Sequence, residues 1–186
     1  MGRPAHAGIE PEKGISAIEV ASEAIFNMRR GRIDEETTAN VGTIKGGTAT
    51  NIVAENVEIR FESRSRNQVK LDQQVQHMTD ALNAAAMRRG VKVDISIEHS
   101  YPSVNLDTNQ AVVQLAINAV NSIGLPLAIL PTGGGSDANI LNGKGMPSIV
   151  LGIGMENVHS KEERIAVSQL VDGAKLLLSI INESTK

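Results

Sequence analysis

The chain contains no cysteine, and its aromatic residues are limited to one tyrosine and two phenylalanines among 186 residues. The absence of cysteine excludes disulfide scaffolds, thiolate metal sites and cysteine nucleophiles, and it fits a reducing compartment, with the cytoplasm as the expected location. So few aromatic rings argue against base-stacking platforms for single-stranded nucleic acid. The core must therefore be built from Ile, Val, Leu, Ala and Met side chains.

The chain also lacks a large excess of one charge and has no long apolar runs. The 18 basic and 21 acidic residues are spread along the chain and give a net charge of -3, so there is no electrostatic footprint for nucleic acid or for an anionic membrane. No apolar run approaches the roughly 20 residues that a membrane-spanning helix needs. The first residues lack the charged-then-apolar order of a signal peptide. We therefore expect a globular protein whose partners are small molecules or other proteins.

Apolar periodicity in the first hundred residues predicts a small α+β domain. Helical spacing of apolar residues alternates with the period-two pattern of half-buried strands, and glycines separate the elements. The predicted elements are a helix over 14–30, antiparallel strands over 38–45 and 57–61, a helix over 71–85 and a strand over 91–97. A split βαββαβ domain has this order after its first strand. That first strand is expected to be missing or reduced to the residues before Pro4.

The second part of the chain, after Tyr101 and Pro102, has a different pattern. We expect a helix capped by Asp107, and then two continuous apolar runs that alternate with helices, which indicates a parallel sheet buried on both faces. The apolar runs cover 125–130 and 148–151, and the helices cover 136–142 and 167–181. Two such strands bury too little surface to stand alone. The second part is therefore expected to be the tail of a larger domain, and the chain a fragment.

These patterns predict an α/β protein with a domain boundary near residue 104. An α+β domain would occupy residues 1–104. The C-terminal part of a parallel-sheet α/β domain would occupy residues 105–186.

Two motifs in the second part carry the candidate chemistry. A glycine-rich loop, Gly133-Gly134-Gly135-Ser136-Asp137-Ala138-Asn139, precedes a short predicted helix, and His159 lies in a loop after an apolar run. Loops at the ends of parallel strands are where α/β folds place ligand sites, and neutral imidazole is a good metal ligand. The sequence therefore predicts a ligand site that includes both loops.

Each of these residues also has an ordinary structural interpretation. A lone loop histidine is more often a surface residue than a ligand, and Ser136 or Asp137 can cap the short helix. His77 and His99 have no motif around them, and we expect only structural roles for both. The amides of a glycine loop at a helix start can bind an anion, but the loop lacks the lysine of a P-loop and the spacing of a dinucleotide-binding motif.

Five spaced motifs, taken in order, resemble the dinuclear zinc exopeptidases, the family that includes tripeptidase T, aminoacylases and glutamate carboxypeptidase. The resemblance covers the whole chain and is greatest to the peptidase T-like members. The motifs are Gly2-Arg3-Pro4-Ala5-His6-Ala7-Gly8, Gly46-Gly47-Thr48-Ala49-Thr50-Asn51-Ile52-Val53, Glu62-Ser63-Arg64-Ser65, the glycine loop and the segment around His159. In this family a βαββαβ lid interrupts the catalytic domain. The resemblance thus implies a lid, or dimerisation domain, over 1–104 and the second catalytic segment over 105–186.

The resemblance also implies roles for individual residues. His159 matches the last zinc-ligating histidine, and His6 matches the lid histidine that reaches, often across a dimer, toward the substrate. Asn51 matches a lid asparagine that hydrogen-bonds substrate, and Gly134, Gly135 and Ser136 match the loop that lines the substrate cleft. Arg64 and Glu163 match recurrent positions without a clear role. Tripeptidase T carries an arginine where this chain has Gly133, which weakens the transfer of tripeptide specificity.

The implied chemistry is hydrolysis of short peptides by a water that two zinc ions activate while a glutamate accepts its proton. In the family, the remaining zinc ligands and this glutamate lie upstream of the lid. The resemblance therefore implies that the chain alone holds an incomplete zinc site, and that the missing N-terminal catalytic segment is a possible partner.

Two rival functions remain open on the sequence. The chain could be a non-catalytic module that dimerises through the lid, by an exposed strand edge or by the helix over 14–30. It could also be an anion-binding α+β domain that uses the Gly133–Gly135 loop.

Overall fold

A computed structural model describes residues 1–186 of the protein, which form two compact units, Met1–His99 and Ser100–Lys186. The helices are α1 (Ala17–Asn27), α2 (Gln68–Arg88), α3 (Ala111–Ser122), α4 (Asp137–Gly143) and α5 (Val167–Glu183), and the strands are β1 (Gly31–Arg32), β2 (Thr37–Gly46) and β3 (Val57–Ser65). This mixture of helices and strands confirms the predicted α/β class. The identity of the two units as a lid and a catalytic segment stays a prediction.

The first unit is built on an antiparallel sheet in the order β1-β2-β3. The predicted pairing of the two long strands is confirmed, with Thr37 opposite Ser65 at one end and Gly46 opposite Val57 at the other. The register shifts between Val41 and Thr43, so Gly42 is the extra residue of a β-bulge.

Both predicted helices of the first unit form, and polar side chains cap their first turns. The Ser16 hydroxyl accepts the Glu19 N–H at 3.3 Å at the start of α1, and Asn67 Oδ1 accepts the Lys70 N–H at 3.2 Å at the start of α2. Such caps satisfy amides that have no partner within the helix. The helix α1 is shorter than the predicted 14–30, because its C-cap is Met28, three residues before Gly31.

The core of the first unit consists of small and flexible side chains, as the lack of aromatic residues requires. Helices α1 and α2 pack against each other and against the sheet, and Ala24 and Ala85 are fully buried where they meet. The cluster also contains Met28, Ala39, Met78 and Ala81, with Val20, Ile33, Phe61 and Leu82 around it. Because alanine lets helix backbones approach closely, methionine fills the remaining space.

The N-terminal segment is extended and is held between two other segments instead of joining the sheet. Arg3 forms an antiparallel bridge with Ile15, and His6 forms another with Ile52. A side chain at Gly2 would overlap the backbone of Ile15, so only glycine permits this close approach. In place of a first strand, this segment therefore forms only two isolated bridges.

Three strand predictions are wrong for this structure. The segments 91–97, 125–130 and 148–151 form no strand, and the only sheet of residues 1–186 is the antiparallel one. Alternating or continuous apolar residues reveal which faces can be buried, but a strand also needs a hydrogen-bonded neighbour. Ile97, Leu130 and Val150 consequently remain exposed.

The second unit is held together by α3 and α5. Ala119, Val120 and Leu176 form its buried cluster, and the Ser179 hydroxyl donates to the Ala119 carbonyl at 3.0 Å. The expectation that Asp107 caps α3 is wrong, because Gln110 occupies the N-cap. The Asp107 carboxylate instead accepts the Asn109 N–H at 2.8 Å in the preceding turn, as short polar side chains do in turns.

The turn between β1 and β2 gives the first unit a defined acid response. Asp34 Oδ1 accepts the N–H groups of Glu36 and Thr37 at 2.9 and 2.8 Å, and Lys70 Nζ lies 3.3 Å from Asp34 Oδ2. These donors, the Glu36 amide first, lower the pKa of Asp34 from 3.8 to about 2. A lowered pKa means that the carboxylate favours the folded state above pH 3.8 and loses this contribution as the pH falls toward about 2.

We therefore expect Asp34→Asn to be less stable than the wild type near neutral pH, and the difference to shrink as the pH falls from 3.8 to about 2. The asparagine retains an oxygen acceptor but does not titrate. Urea denaturation at a series of pH values measures the effect. A difference between the two proteins that stays constant across this interval would contradict the prediction.

Candidate functional site

The structure brings together two of the predicted site residues of the first unit, His6 and Asn51. The Ala7 N–H donates to the Asn51 carbonyl at 2.9 Å, next to the bridge between His6 and Ile52. Both side chains are exposed. Two residues that are far apart in sequence therefore lie on neighbouring, hydrogen-bonded segments.

The imidazole of His6 is oriented by its own turn. His6 Nδ1 accepts the Gly8 N–H at 3.1 Å, and the His6 carbonyl accepts the Glu10 N–H at 3.1 Å. In a neutral imidazole one nitrogen accepts and the other carries the proton. The Gly8 contact therefore selects the tautomer with hydrogen on Nε2, which leaves an N–H donor on the exposed edge of the ring.

The glycine loop of the second unit leads directly into α4. The Gly134 N–H donates to the Thr132 hydroxyl at 3.1 Å, and the Ser136 N–H donates to Asn139 Oδ1 at 3.0 Å. Ser136 is the N-cap residue, which resolves the choice between Ser136 and Asp137. Since these two amides already have partners, the loop offers few free donors to an anion, and α4 is a single short helix. This weighs against the anion-binding alternative.

His159 lies in a loop whose base is closed by a small antiparallel bridge. Glu156 and Arg164 exchange backbone hydrogen bonds of 2.9 and 3.1 Å. Their side chains also form an ion pair, with Arg164 Nη2 2.7 Å from Glu156 Oε2. The closed base limits the conformations that the seven intervening residues can adopt.

The backbone at the tip of this loop is in an uncommon conformation. Asn157 and His159 have φ values of 55° and 65°, and they are the only non-glycine residues of the protein with positive φ. Such conformations cost roughly 1 kcal/mol or more and tend to occur at functional sites. Glu163 stabilises the backbone conformation of His159, because Glu163 Oε2 accepts the His159 N–H at 2.9 Å. Glu163, which had no clear role, is thereby a residue that fixes the direction of His159.

We expect Glu163→Ala to increase the exchange rate of the His159 amide hydrogen by about 3- to 10-fold, as loss of one exposed hydrogen bond predicts. Glu163→Gln keeps an acceptor oxygen of the same reach and should restore most of the protection. Exchange followed by NMR measures both variants. Equal rates in the wild type and in Glu163→Ala would show that the carboxylate does not hold the loop.

A zinc pair is not accommodated by the residues of this chain alone. Nowhere in the structure do three or more His, Asp or Glu side chains gather as a metal-binding group. His159 is exposed and offers one imidazole. One neutral ligand falls short of the three protein ligands that a catalytic zinc ion uses.

Other candidate residues have simpler roles. His77 Nε2 accepts the Arg29 N–H at 3.1 Å while Gln74 donates to the Arg29 carbonyl at 2.9 Å, so both side chains fasten the end of α1 to α2. The structural role expected of His77 is confirmed. Arg64 pairs with Glu62 at 2.7 Å. In the second unit, an open cleft of about 330 Å³ is lined by residues from 102–106 and 142–147, and none of the predicted site residues lines it.

Several contributors to the site went unrecognised in the sequence. Asn139 connects the glycine loop to the preceding segment, because its Nδ2 donates to the Pro102 carbonyl at 3.1 Å. The opposite charges of Glu156 and Arg164 on either side of His159 are a signal that could have indicated a closed loop. Nothing local to the sequence connects Tyr101 with Gly135, although a side chain at Gly135 would overlap the tyrosine ring.

Comparison with known proteins gives two matching family models. A peptidase dimerisation domain matches residues 1–89, and the M42 glutamyl aminopeptidase model matches residues 66–176, which is more than half of the chain. The chain belongs to the peptidase family described by the M42 glutamyl aminopeptidase model. The two models and the peptidase T relatives together confirm the predicted resemblance to peptidase T-like exopeptidases.

Several relatives align with this chain over its whole length. The Bacillus subtilis protein YqjE is 46% identical over 186 residues, and peptidase T of Clostridium novyi is 24% identical over 188 residues. The crystal structure of aminopeptidase PepT from Bacillus cereus has a TM-score of 0.82 at 42% identity over 100% of this chain. A Staphylococcus aureus tripeptidase has a TM-score of 0.86 at 41% identity over 97% of it.

This peptidase chain spans about half the length of its relatives, covering 50% of YqjE, 46% of the Clostridium peptidase T, 50% of the Bacillus cereus PepT chain and 48% of the tripeptidase chain. No helix in it has the length and apolar content that a membrane crossing requires.

Proposed function

We propose that this chain is part of a metallo-exopeptidase that hydrolyses short peptides. The observation that carries the proposal is the pairing of the His6 and Asn51 segments. The motifs predict that both residues contact substrate, and the fold places them side by side although they are far apart in sequence. Membership in a peptidase family supports the same reaction class.

His6 acts by donating a hydrogen bond from Nε2. The Gly8 N–H occupies Nδ1, so the exposed Nε2–H is available to an oxygen of the peptide. A donor that is already oriented stabilises negative charge developing on that oxygen without reorganising during the reaction. Asn51, on the adjoining segment, supplies amide donors and an acceptor for the peptide backbone.

In the second unit, Gly134, Gly135 and Ser136 form the backbone surface on which the peptide lies. The three residues are exposed, and no side chain protrudes from the two glycines. At Gly134 a peptide backbone can therefore approach the loop backbone closely, whereas at Gly135 the Tyr101 ring occupies the side-chain space. These contacts bind and orient the substrate.

His159 is proposed as one ligand of a two-zinc site. Its exposed imidazole and its fixed backbone support the assignment. Since no group of three ligating side chains exists in residues 1–186, the remaining ligands and the general base are proposed to lie in the half of the relatives' length that this chain does not match. A segment that carries these ligands is therefore proposed as a partner of the chain.

We further propose a cytoplasmic homodimer that forms through the first unit. The match of residues 1–89 to a peptidase dimerisation domain supports this. The outer edge of β3 is unpaired in the sheet order, which gives a second copy a strand edge to pair with.

The test is a hydrolysis assay combined with metal analysis. Short peptides such as tri-alanine are incubated with the chain alone and with the chain joined to the segment that completes the relatives' length. Activity and about two bound zinc ions in the completed protein only are the expected result. Hydrolysis by the chain alone would contradict the proposed division of ligands, and a completed protein that dimerises but cleaves no peptide would favour the non-catalytic module.

A further inference from the structure

The single tyrosine of the chain lies against the glycine loop. A Cβ atom at Gly135 would overlap the hydroxyl and the ring of Tyr101, so the ring occupies the space that a side chain at position 135 would need. None of the three loop glycines has a positive φ, which means that the backbone conformation does not require glycine. The position of the tyrosine ring therefore excludes a side chain at Gly135.

The segment that carries Tyr101 is fixed to the same loop by hydrogen bonds. Asn139 Nδ2 donates to the carbonyl of Pro102, the next residue, at 3.1 Å. Asn139 Oδ1 accepts the Ser136 N–H at 3.0 Å. One side chain thus bridges the tyrosine segment and the loop, which holds the ring at a defined place on the loop surface.

The hydroxyl of Tyr101 makes no hydrogen bond within the protein. Tyrosine hydroxyl groups that are removed from solvent usually have a partner, but Tyr101 is 37% exposed. The hydroxyl oxygen is the Tyr101 atom nearest the Cβ position of Gly135, so it lies against the loop backbone without a hydrogen-bond partner in the protein. This arrangement suits a residue that binds a ligand at its hydroxyl.

We propose that Tyr101 is a substrate-binding residue whose hydroxyl donates a hydrogen bond to an oxygen of a short peptide lying on the glycine loop. The acceptor is either a peptide carbonyl or the C-terminal carboxylate of the substrate, which share this chemistry. The inference rests on the proposed peptidase function and adds a residue that determines substrate affinity.

The kinetic test, made in the completed protein, is Tyr101→Phe, which keeps the ring on Gly135 and removes only the hydroxyl. For tri-alanine we expect kcat/KM to fall by about 3- to 10-fold, mainly through KM, because the contact binds ground state and transition state alike. Ser103→Ala removes one hydroxyl from the same segment and should leave the kinetics unchanged. A loss that disappears with tri-alanine amide identifies the carboxylate as the acceptor, and a loss that persists identifies a carbonyl.

A spectroscopic readout separates this inference from the proposed function. In protein labelled with 3-fluorotyrosine, the Tyr101 ¹⁹F resonance is assigned by its absence in Tyr101→Phe, and tri-alanine should shift it. If the wild type hydrolyses tri-alanine and Tyr101→Phe matches it within about twofold, the inference fails and the function stands. If the completed wild-type protein is inactive, the proposed function fails, and an unmoved resonance overturns the inference as well.

Discussion

Replacing His159 by alanine is expected to lower kcat/KM for short peptides by at least about 100-fold in the complete protein, because even residues that only support a metal ligand change metal affinity or activity by 10- to 100-fold. Bound zinc should fall at the same time. The physical basis is the position of His159 at the tip of a closed loop, with its amide held by Glu163 at 2.9 Å.

The matched control for this prediction is His99→Ala. His99 is also exposed, and no motif surrounds it, so activity and zinc content should remain those of the wild type. Peptide hydrolysis rates and metal content by atomic emission measure both variants. Unchanged zinc and an unchanged rate in His159→Ala would remove this histidine from the proposed site.

Replacing Met78 by alanine is expected to lower the free energy of unfolding by about 2–5 kcal/mol, the range for large-to-small changes in a packed core. Met78 is 6% exposed and lies among Ala24, Ala39 and Ala85 in the core of the first unit. Four of the five other buried residues of this cluster are alanines, whose side chains cannot extend into the space. The cavity should therefore persist instead of being refilled.

Met87→Ala provides the comparison, because Met87 lies in the same helix and is 81% exposed. Its effect should stay within about 0.5 kcal/mol. Urea denaturation followed by circular dichroism gives both values, and an unchanged dependence on urea shows that the same surface unfolds. Similar losses in the two variants would mean that α2 does not pack as described.

The helices and the antiparallel strand pair were predictable because they depend on neighbours in sequence. The spacing of apolar residues in α2 and α5 marks one helical face, and Ser16 and Asn67 satisfy amides three residues away. Apolar and polar residues alternate in the long strands β2 and β3, and Gly46 and Gly47 mark the end of β2. These local patterns predicted every helix longer than ten residues within a few positions.

The strand predictions failed where the missing information was not local. Residues 91–97 alternate as a half-buried strand does, yet no neighbouring strand pairs with them in the structure. The apolar runs at 125–130 and 148–151 are unpaired for the same reason. Periodicity specifies a face that can be buried, whereas a ladder of hydrogen bonds requires a second segment that the pattern does not name.

By itself, the sequence determined the α/β class, the helices and, through five ordered motifs, membership in the peptidase family. Only the tertiary structure decided that the segments of His6 and Asn51 are neighbours, that Glu163 holds His159 in a left-handed conformation, and that Tyr101 occupies the space above Gly135. Helical hydrogen bonds join residues four apart, so composition and spacing reveal them. The site contacts join backbone and side chains from different segments, and only the folded chain brings those segments together.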